Sequence, residues 1–137
     1  MTVEFVDTNI LVYAHDVSAG VKHTAAVDLL ARLFKQNLGA VSVQVLIEFY
    51  SAATKKLPMP SREAEAVISD LVDWTIHRPG HADVLRACEL CRRHGFAWWD
   101  ALIVNSAMEL GCETLWTEDL NDGQQFGAVT VRNPFSA

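Results

Sequence analysis

The sequence predicts an α/β domain with a mainly parallel sheet, and two observations support this fold class. Short apolar or β-branched segments alternate along the chain with longer segments of helical periodicity. Half of the 137 residues are hydrophobic, which is enough for a sizeable core, and no linker or internal repeat divides the sequence. We therefore expect one ordered domain that spans residues 1–137.

The first half of the chain contains two predicted strands and two long helices. Residues 3–6 form the first strand. A helix follows over residues 21–36, where apolar residues recur at i, i+3 and i+4, and Gly39 is expected to end it. Residues 40–43 form the second strand, and Ser42 can cap the next helix. The apolar face of that helix consists of Val45, Leu46, Phe49 and Ala53.

The second half begins with a break at Pro58 and Pro60, because proline interrupts regular backbone hydrogen bonding. A helix then starts at Ser61 and continues to about residue 72. The remaining predicted elements are a strand over residues 74–77, helices from about 82 to 95 and from about 99 to 111, and strands over residues 114–116 and 128–131. This order of elements completes the α/β pattern.

Composition limits the classes of function. Three cysteines, an odd number, and an N-terminus without a basic, apolar leader favour a reduced, cytoplasmic protein. No apolar run approaches the roughly 20 residues needed to cross a bilayer, so we expect no membrane association. Cys88 and Cys91 have the spacing of a metal-binding pair. The same spacing fits a buried helix stripe shared with Val84 and Leu85, and we favour that structural interpretation.

The net charge of −6 argues against a surface that coats nucleic acid non-specifically, because such binding relies on lysine and arginine. It does not exclude a nucleic-acid substrate. If four of the 17 acidic residues hold metal ions, the others nearly balance the 11 basic residues. The best basic patches are Lys55 and Lys56 with Arg62, and Arg92 with Arg93. Each fits contacts with RNA phosphates or a solvated helix surface, and the second interpretation is favoured for the arginine pair.

Four acidic residues stand out by position. Asp7 and Asp119 each follow a predicted strand, and ligand sites in such sheets lie beyond the carboxyl ends of the strands. Glu48 and Asp100 interrupt apolar segments, and buried acids are rare unless a partner neutralises them. A hard divalent cation, Mg²⁺ or Mn²⁺, is a natural partner for several carboxylates, whereas zinc favours histidine and cysteine. The alternative is that Glu48 and Asp100 lie on solvent-facing sides of their helices.

The segments that carry these acids resemble those of a known family. DTNILVYA contains Asp7, VSVQVLIEFYSA contains Glu48, WDALI contains Asp100 and TEDL contains Asp119. In this order they resemble the PIN-domain family, and within it the VapC-type toxins of bacterial and archaeal toxin–antitoxin pairs. The similarity extends over essentially the whole chain. It implies a three-layer α/β/α sandwich around a parallel sheet, and Mg²⁺- or Mn²⁺-dependent cleavage of RNA.

The resemblance also implies roles and partners. All four acids would hold the metal, directly or through water, and Asn9 and Thr117 would orient ligands or water. No histidine base is required, and products with 5′-phosphate and 3′-hydroxyl ends are expected. The implied partners are an RNA substrate, a protein antitoxin that covers the negative cleft, and a second copy of the chain in a homodimer.

Several nearby residues have two interpretations. His15, Glu118 and Asp122 could join the site or could be surface residues. Trp98 and Trp99 could stack on bases, but packing in the core or in a dimer is favoured. Two other functions would use the same four acids. One is a metal-dependent DNase or phosphatase, and the other is a non-catalytic module that holds a structural cation.

Overall fold

The computed structural model describes residues 2–136, which form six strands and six α-helices. The strands are β1 (Glu4–Val6), β2 (Gly39–Ser42), β3 (Thr75–His77), β4 (Thr114–Trp116), β5 (Gln125–Phe126) and β6 (Val129–Arg132). The helices are α1 (Thr8–Ala14), α2 (Val21–Gln36), α3 (Val43–Lys56), α4 (Ser61–Asp70), α5 (His81–His94) and α6 (Trp98–Glu109). A 3₁₀ turn over Val17–Ala19 separates α1 from α2.

The strands form one sheet in the order β3-β2-β1-β4-β6-β5. All neighbouring strands are parallel except β5, which pairs antiparallel with β6. Helix α1 packs against both α2 and α3, α3 packs against α4, and α5 packs against α6, so that helices flank the sheet. The predicted α/β fold with a mainly parallel sheet is confirmed. Strand β1 lies between β2 and β4, and a reversal of strand order at this point opens a crevice at the carboxyl ends of β1 and β4.

The core lies against the central strands, as expected for parallel strands covered by helices. Phe5 of β1 and Leu115 of β4 are completely buried. The predicted apolar face of α3 is confirmed, since Val45, Phe49 and Ala53 are also completely buried. This face holds α3 against the core and leaves another side of the helix free to face the crevice.

Two helix starts are capped by side chains that the chain supplies immediately before the helix. Asp7 is the N-cap of α1, and its Oδ1 accepts a hydrogen bond of 2.7 Å from the backbone N–H of Thr8. Ser42 caps α3, as predicted, and its Oγ accepts a hydrogen bond of 3.3 Å from the backbone N–H of Val45. The cap at Asp7 fixes one oxygen of that carboxylate at the carboxyl end of β1.

Two elements were not predicted. Helix α1 has only seven residues, and its apolar sequence could equally continue the preceding strand, but Ile10 and Leu11 are buried on one side of the helix. Strand β5 has two residues and is defined only by its pairing with β6. Such short segments contain too few residues for a periodicity, so tertiary contacts decide their conformation.

The end of α2 corrects the prediction for Gly39. Asn37 ends the helix in the left-handed conformation, with φ of 56°, and Gly39 is the first residue of β2. A Cβ atom at position 39 would lie 2.4 Å from the indole ring of Trp74, so this position requires glycine because the ring packs directly on the backbone. The glycine therefore serves packing and not helix termination.

Most other predicted boundaries are within two residues of the structure. Strand β2 begins and ends one residue earlier than predicted, and α4 ends at Asp70 instead of residue 72. Strand β3 begins at Thr75, because Trp74 belongs to the preceding turn, where it is buried. Helix α5 starts at His81 and α6 at Trp98, each one residue before the predicted start.

The buried stripe predicted on α5 contains the wrong residues. Val84 and Leu85 are 41% and 58% exposed, whereas Ala87 is buried and Cys88 and Cys91 are half-buried. The buried side of the helix is rotated from the predicted one because it packs on α6. Within residues 2–136, no helix has both the length and the apolar character needed to cross a membrane.

Candidate active site

The four acids singled out by sequence come from four different elements and line one cleft. Asp7 follows β1, Asp119 follows β4, Glu48 lies in the middle of α3, and Asp100 lies in the first turn of α6. The cleft has a volume of about 550 Å³ and opens at the carboxyl ends of β1 and β4. Glu48 and Asp100 are half-buried and face the cleft, so the alternative of solvent-facing helix sides does not describe them.

Asp7 lies deepest of the four. Its side chain is 6% exposed, and each carboxylate oxygen accepts one hydrogen bond, Oδ1 from the Thr8 backbone N–H at 2.7 Å and Oδ2 from the Thr117 hydroxyl at 2.8 Å. Burial is the main cause that raises the pKa of Asp7 to about 7, the carboxylates of Asp119 and Glu48 act in the same direction, and the two hydrogen bonds oppose the rise. Asp7 is thus a buried acid with no cationic partner among residues 2–136.

Thr117 connects the ends of β1 and β4. It is completely buried, its hydroxyl donates to Asp7 Oδ2, and its Oγ1 accepts a hydrogen bond of 3.1 Å from the backbone N–H of Asp119. One hydroxyl therefore positions two of the four acids. A supporting role of Thr117 in the site stays a prediction.

Glu48 is held by two residues that the sequence did not single out. The Thr8 hydroxyl donates to Glu48 Oε1 at 2.8 Å, and the Gln44 amide donates to Oε2 at 3.2 Å. The same Gln44 amide lies 3.2 Å from the backbone carbonyl of Trp99, which links α3 to the start of α6 beside Asp100. A signal was present, because Thr8 follows Asp7 directly and Gln44 precedes Glu48 by one helical turn.

The two remaining acids share an environment that disfavours their charged forms. The pKa of Asp100 is raised, first by burial and then by the carboxylates of Asp119 and Glu48. The pKa of Asp119 is raised by burial of its carboxylate and by Glu118, although the residue as a whole is among the exposed ones at the cleft mouth. The cleft therefore concentrates acidic groups, and within residues 2–136 none of the four acids forms an ion pair.

The side chain of Asn9 lies against Asp119 and lowers the pKa of that carboxyl, against the effect of burial. No hydrogen bond of regular geometry forms between the two side chains. Both polar atoms of the Asn9 side chain are buried without a hydrogen-bond partner among the described residues. A buried amide in this state costs free energy unless something else in the site pairs with it. A supporting role of Asn9 in the site stays a prediction.

The donor set of the cleft consists of oxygen atoms with amides at its edge. Within residues 2–136, no histidine or cysteine lines it, and none of the ion pairs includes Asp7, Glu48, Asp100 or Asp119. Lys56 is the only lysine or arginine among its described lining residues. In the described part of the chain, no three His, Cys, Asp or Glu side chains converge tightly enough to bind one ion together. The acids line one cleft but do not form a closed cage.

The structure also places the residues whose roles were left open. Glu118 lines the cleft, whereas Asp122 lies outside it and accepts a hydrogen bond of 2.9 Å from the backbone N–H of Asn133. His15 is also outside the lining, with its ring 5.7 Å from that of Phe49. Of the two neighbouring lysines predicted as a basic patch, one lines the cleft and the other does not.

Core packing of the tryptophan pair, one of the two favoured interpretations, is wrong, whereas packing in a dimer stays a prediction. Trp98 is 37% exposed and Trp99 is 61% exposed, and the second lines the cleft next to Asp100. Both lie at the start of α6, directly after the irregular segment that follows α5. Asp16 also lines the cleft without having been predicted, and its carboxylate caps the 3₁₀ turn through a hydrogen bond of 3.1 Å from Ser18.

Comparisons with known proteins agree with this geometry. The sequence pattern of the PIN domain matches residues 5–122, which include all four acids. Among solved structures, a toxin–antitoxin complex from Klebsiella pneumoniae is similar, with 21% identity, a TM-score of 0.63, and coverage of 98% of this chain and 99% of that chain. VapBC2 from Rickettsia felis, bound to a DNA fragment from its promoter, has 21% identity and a TM-score of 0.68 over 96% of this chain and 98% of that chain.

A third similar structure is VapC20 from Mycobacterium tuberculosis, a sarcin–ricin loop-cleaving toxin. It is 18% identical, with a TM-score of 0.64 and coverage of 81% of this chain and 85% of that chain. No curated protein matches the sequence significantly. These structural likenesses establish the fold, and the family match extends over most of the chain from β1 to the segment after β4. The chain belongs to the PIN-domain family.

Proposed function

We propose that this protein is a metal-dependent endoribonuclease that acts as the toxin of a toxin–antitoxin pair. The observation that carries the proposal is the meeting of Asp7, Glu48, Asp100 and Asp119 in one cleft, although they come from four elements far apart in sequence. A fold gains no stability from gathering unbalanced carboxylates, because like charges repel and burial opposes ionisation. Such a cluster is therefore best explained by a ligand of opposite charge.

The residues fit a hard divalent cation, Mg²⁺ or Mn²⁺. The candidate ligands are the four carboxylates, and Asn9 contributes a buried amide that lacks a partner within the described chain. The acids do not close around one point, so we propose that some of them hold the cation through water. When bound, the cation would neutralise charge on a phosphodiester and activate a water molecule for attack on phosphorus.

The protein's own groups keep the acids in position for this reaction. Thr8 and Thr117 hold Asp7 through both of its oxygens, and Thr8 with Gln44 holds Glu48. Preorganised groups are effective because they need not be reoriented during the reaction. Lys56 at the cleft is suited to contact a neighbouring phosphate.

The proposed chemistry is hydrolysis of the phosphodiester. The oxygen of water forms a bond to phosphorus, the bond from phosphorus to the 3′ oxygen breaks, and the 3′ oxygen takes a proton. The products are a 3′-hydroxyl end and a 5′-phosphate end. Choice of RNA as substrate is supported by the fold shared with VapC20, which is described as a sarcin–ricin loop-cleaving toxin.

The proposed partners are a protein antitoxin and a second copy of the chain. The similar structure from Klebsiella pneumoniae is described as a toxin–antitoxin complex, and the negative cleft would accept a basic side chain from an antitoxin. Exposed apolar residues such as Ile47 on α3 and Leu85 on α5 provide surface for a homodimer. We expect growth inhibition on expression of this chain, and its relief when a small gene adjacent to its own is co-expressed. Harmless high-level expression of an unmutated chain alone would contradict the toxin role.

The direct test is cleavage of RNA and DNA, side by side, with Mg²⁺ or Mn²⁺. Asp7→Asn should reduce RNA cleavage by about 100-fold or more, since it removes one charge without changing side-chain volume. Asp122→Asn is the matched control, because Asp122 lies outside the cleft. Retention of more than about a tenth of the activity in Asp7→Asn would contradict its assignment. Preferred cleavage of DNA would favour a DNase, and cation binding without any cleavage would favour a structural module.

A further inference from the structure

Glu118 has a different environment from the four acids, although it is adjacent to Asp119 and lines the same cleft. Its Oε1 accepts a hydrogen bond of 2.5 Å from the hydroxyl of Tyr13, and its Oε2 accepts one of 2.9 Å from the ammonium group of Lys22. The Lys22 nitrogen also lies 3.5 Å from the Tyr13 oxygen. Both oxygens of Glu118 are thus occupied by side chains of the protein.

The two donors are themselves held in place. The ring of Tyr13 packs edge-on against Phe135, with 5.1 Å between centroids. The ammonium group of Lys22 lies 5.1 Å from the centroid of Tyr13 and 5.6 Å from that of Phe135, within the range of cation–π attraction. Less side-chain freedom is lost when such preordered groups bind a carboxylate. The contact is therefore more specific than an ordinary surface ion pair.

The segment that carries Glu118 and Asp119 has no regular secondary structure of its own. It leaves β4 after Trp116, and the next strand begins only at Gln125. Thr117 anchors the segment to Asp7, and the contacts of Glu118 anchor it to α1 and α2. Asp119 follows these two anchors directly, so its place in the cleft depends on them.

We propose that Tyr13 and Lys22 are positioning residues that act through Glu118 to hold Asp119 where a divalent cation binds. This inference rests on the proposed metal-dependent function and deepens it. It also assigns Glu118 as a structural anchor and not as a ligand of a second cation. Tyr13 and Lys22 need not touch the cation or the substrate.

The test is binding of Mn²⁺ alone, measured by the electron paramagnetic resonance signal of the free ion. Tyr13→Phe removes one hydrogen bond without changing charge. It should weaken Mn²⁺ binding about 10-fold, the lower end for loss of a residue that orients a ligand. Tyr50→Phe is the matched control, since Tyr50 is 42% exposed on α3 and outside the cleft lining.

Lys22→Met tests whether Mn²⁺ binding becomes stronger or weaker when the positive charge is removed. Removal of a positive charge near the acids should strengthen Mn²⁺ binding if only Coulomb interactions matter. Positioning through Glu118 predicts the opposite, a weaker binding. Lys35→Met, an exposed position on the same helix, is the control and should have little effect. Stronger binding by Lys22→Met would overturn the proposal.

A double variant shows whether Tyr13 acts through Glu118. Loss of affinity in Tyr13→Phe/Glu118→Gln should not exceed the loss in Glu118→Gln alone, because the removed contact is shared. If Glu118→Gln binds as weakly as Asp119→Asn while Tyr13→Phe binds normally, Glu118 is itself a ligand and the proposal is wrong. Circular dichroism and melting verify that each variant is folded. If Tyr13→Phe fails to fold, Lys22→Met decides.

The outcomes separate this proposal from the proposed function. Wild-type protein that binds Mn²⁺, with Tyr13→Phe binding as Tyr50→Phe does, would overturn only the positioning role. Wild-type protein that binds no Mn²⁺ would overturn both proposals, because there would be no cation for Asp119 to bind. Weaker binding in Tyr13→Phe and Lys22→Met, with both controls unchanged, supports both.

Discussion

Asp7 and Asp83 are buried to a similar degree, with 6% and 8% of each residue exposed, but their surroundings shift their pKa values in opposite directions. Burial raises the pKa of Asp7 to about 7, and its hydrogen bonds come only from Thr8 and Thr117. The pKa of Asp83 falls to about 2, chiefly because the backbone N–H of Gly80 donates to it.

The carboxylate of Asp83 has several hydrogen-bond donors and one guanidinium group as partners. Its oxygens accept hydrogen bonds from Gly80 at 2.7 Å, Asn105 at 3.0 Å and Arg86 at 2.9 Å, and His77 lies 3.5 Å away. These contacts join the start of α5 to α6 and to the end of β3. The carboxylate of Asp83 thus stabilises the fold, whereas the carboxylates of the cleft are left for a ligand.

In this protein, a structural acid and a candidate metal ligand differ in the partners of their carboxylates. Burial alone does not distinguish the two, since Asp7 and Asp83 are buried to a similar degree. The distinction is whether the protein supplies enough donors and positive charge to stabilise the anion. At Asp83 it does, with backbone, amide and guanidinium donors, and at Asp7 it supplies two neutral hydrogen bonds beside other acids.

The largest effect on stability is expected at Asp83. Asp83→Asn should lower the free energy of unfolding by about 1.5–3 kcal/mol, because a charge-assisted hydrogen bond to Arg86 is lost and a second amide faces the donors of Gly80 and Asn105. Urea unfolding measures the change. Asp73→Asn, at an exposed position, is the control and should change little. A neutral result for Asp83→Asn would mean that the network around it does not stabilise the fold.

A smaller effect of opposite sign is expected at Asp119. Without metal, Asp119→Asn should melt at a slightly higher temperature than wild type, because the substitution relieves repulsion among the cleft acids. The gain in the free energy of unfolding should be less than about 1 kcal/mol, because the site is partly exposed. Excess Mg²⁺ should raise the melting temperature of wild type and have less effect on this variant, since a ligand stabilises the state that binds it. Sodium chloride at the same ionic strength controls for screening. Lower melting of metal-free Asp119→Asn would contradict a clustered metal site.

The smallest expected effect is the pH dependence of the contribution that Asp83 makes to the free energy of unfolding. Its pKa is lowered on folding from the ordinary value of 3.8 to about 2, so the stabilisation is present above the higher value and is lost as pH falls through the lower one. The stability difference between wild type and Asp83→Asn should therefore shrink as pH falls from about 5 toward 2. Urea unfolding at several pH values measures it, and a difference that stays constant with pH would show that Asp83 is not preferentially ionised in the folded protein.

Local sequence patterns were sufficient for most elements of the fold. The helical periodicity of α2 and α3 and the hydroxyl cap at Ser42 depend on neighbouring residues, and both were predicted. Helix α1 and strand β5 were missed because they are too short to show a period. The glycine at the start of β2 was misread because the Trp74 ring that requires it comes from a distant part of the chain.

The candidate site was predictable only in part. The four acids stand out by residue type and position, Asn9 and Thr117 only through the family resemblance, and all six meet at the cleft. The sequence did not reveal that Gln44 and Thr8 orient Glu48, since a polar residue on an α/β surface is unremarkable by itself. Their roles depend on which side of α3 faces the crevice, which is set by packing of the whole domain.

By itself, the sequence determined the order of strands and helices apart from α1 and β5, the chemistry of the oxygen donors and the resemblance to the PIN-domain family. The tertiary structure decided which residues share an environment. Tyr13 and Glu118 are 105 positions apart, and Asp7 and Thr117 are 110 positions apart, yet each pair forms one hydrogen bond. Such contacts exist only after the sheet has brought the ends of β1 and β4 together. Pairing and burial then set the charge state of each acid, because both depend on three-dimensional neighbours and not on residue type.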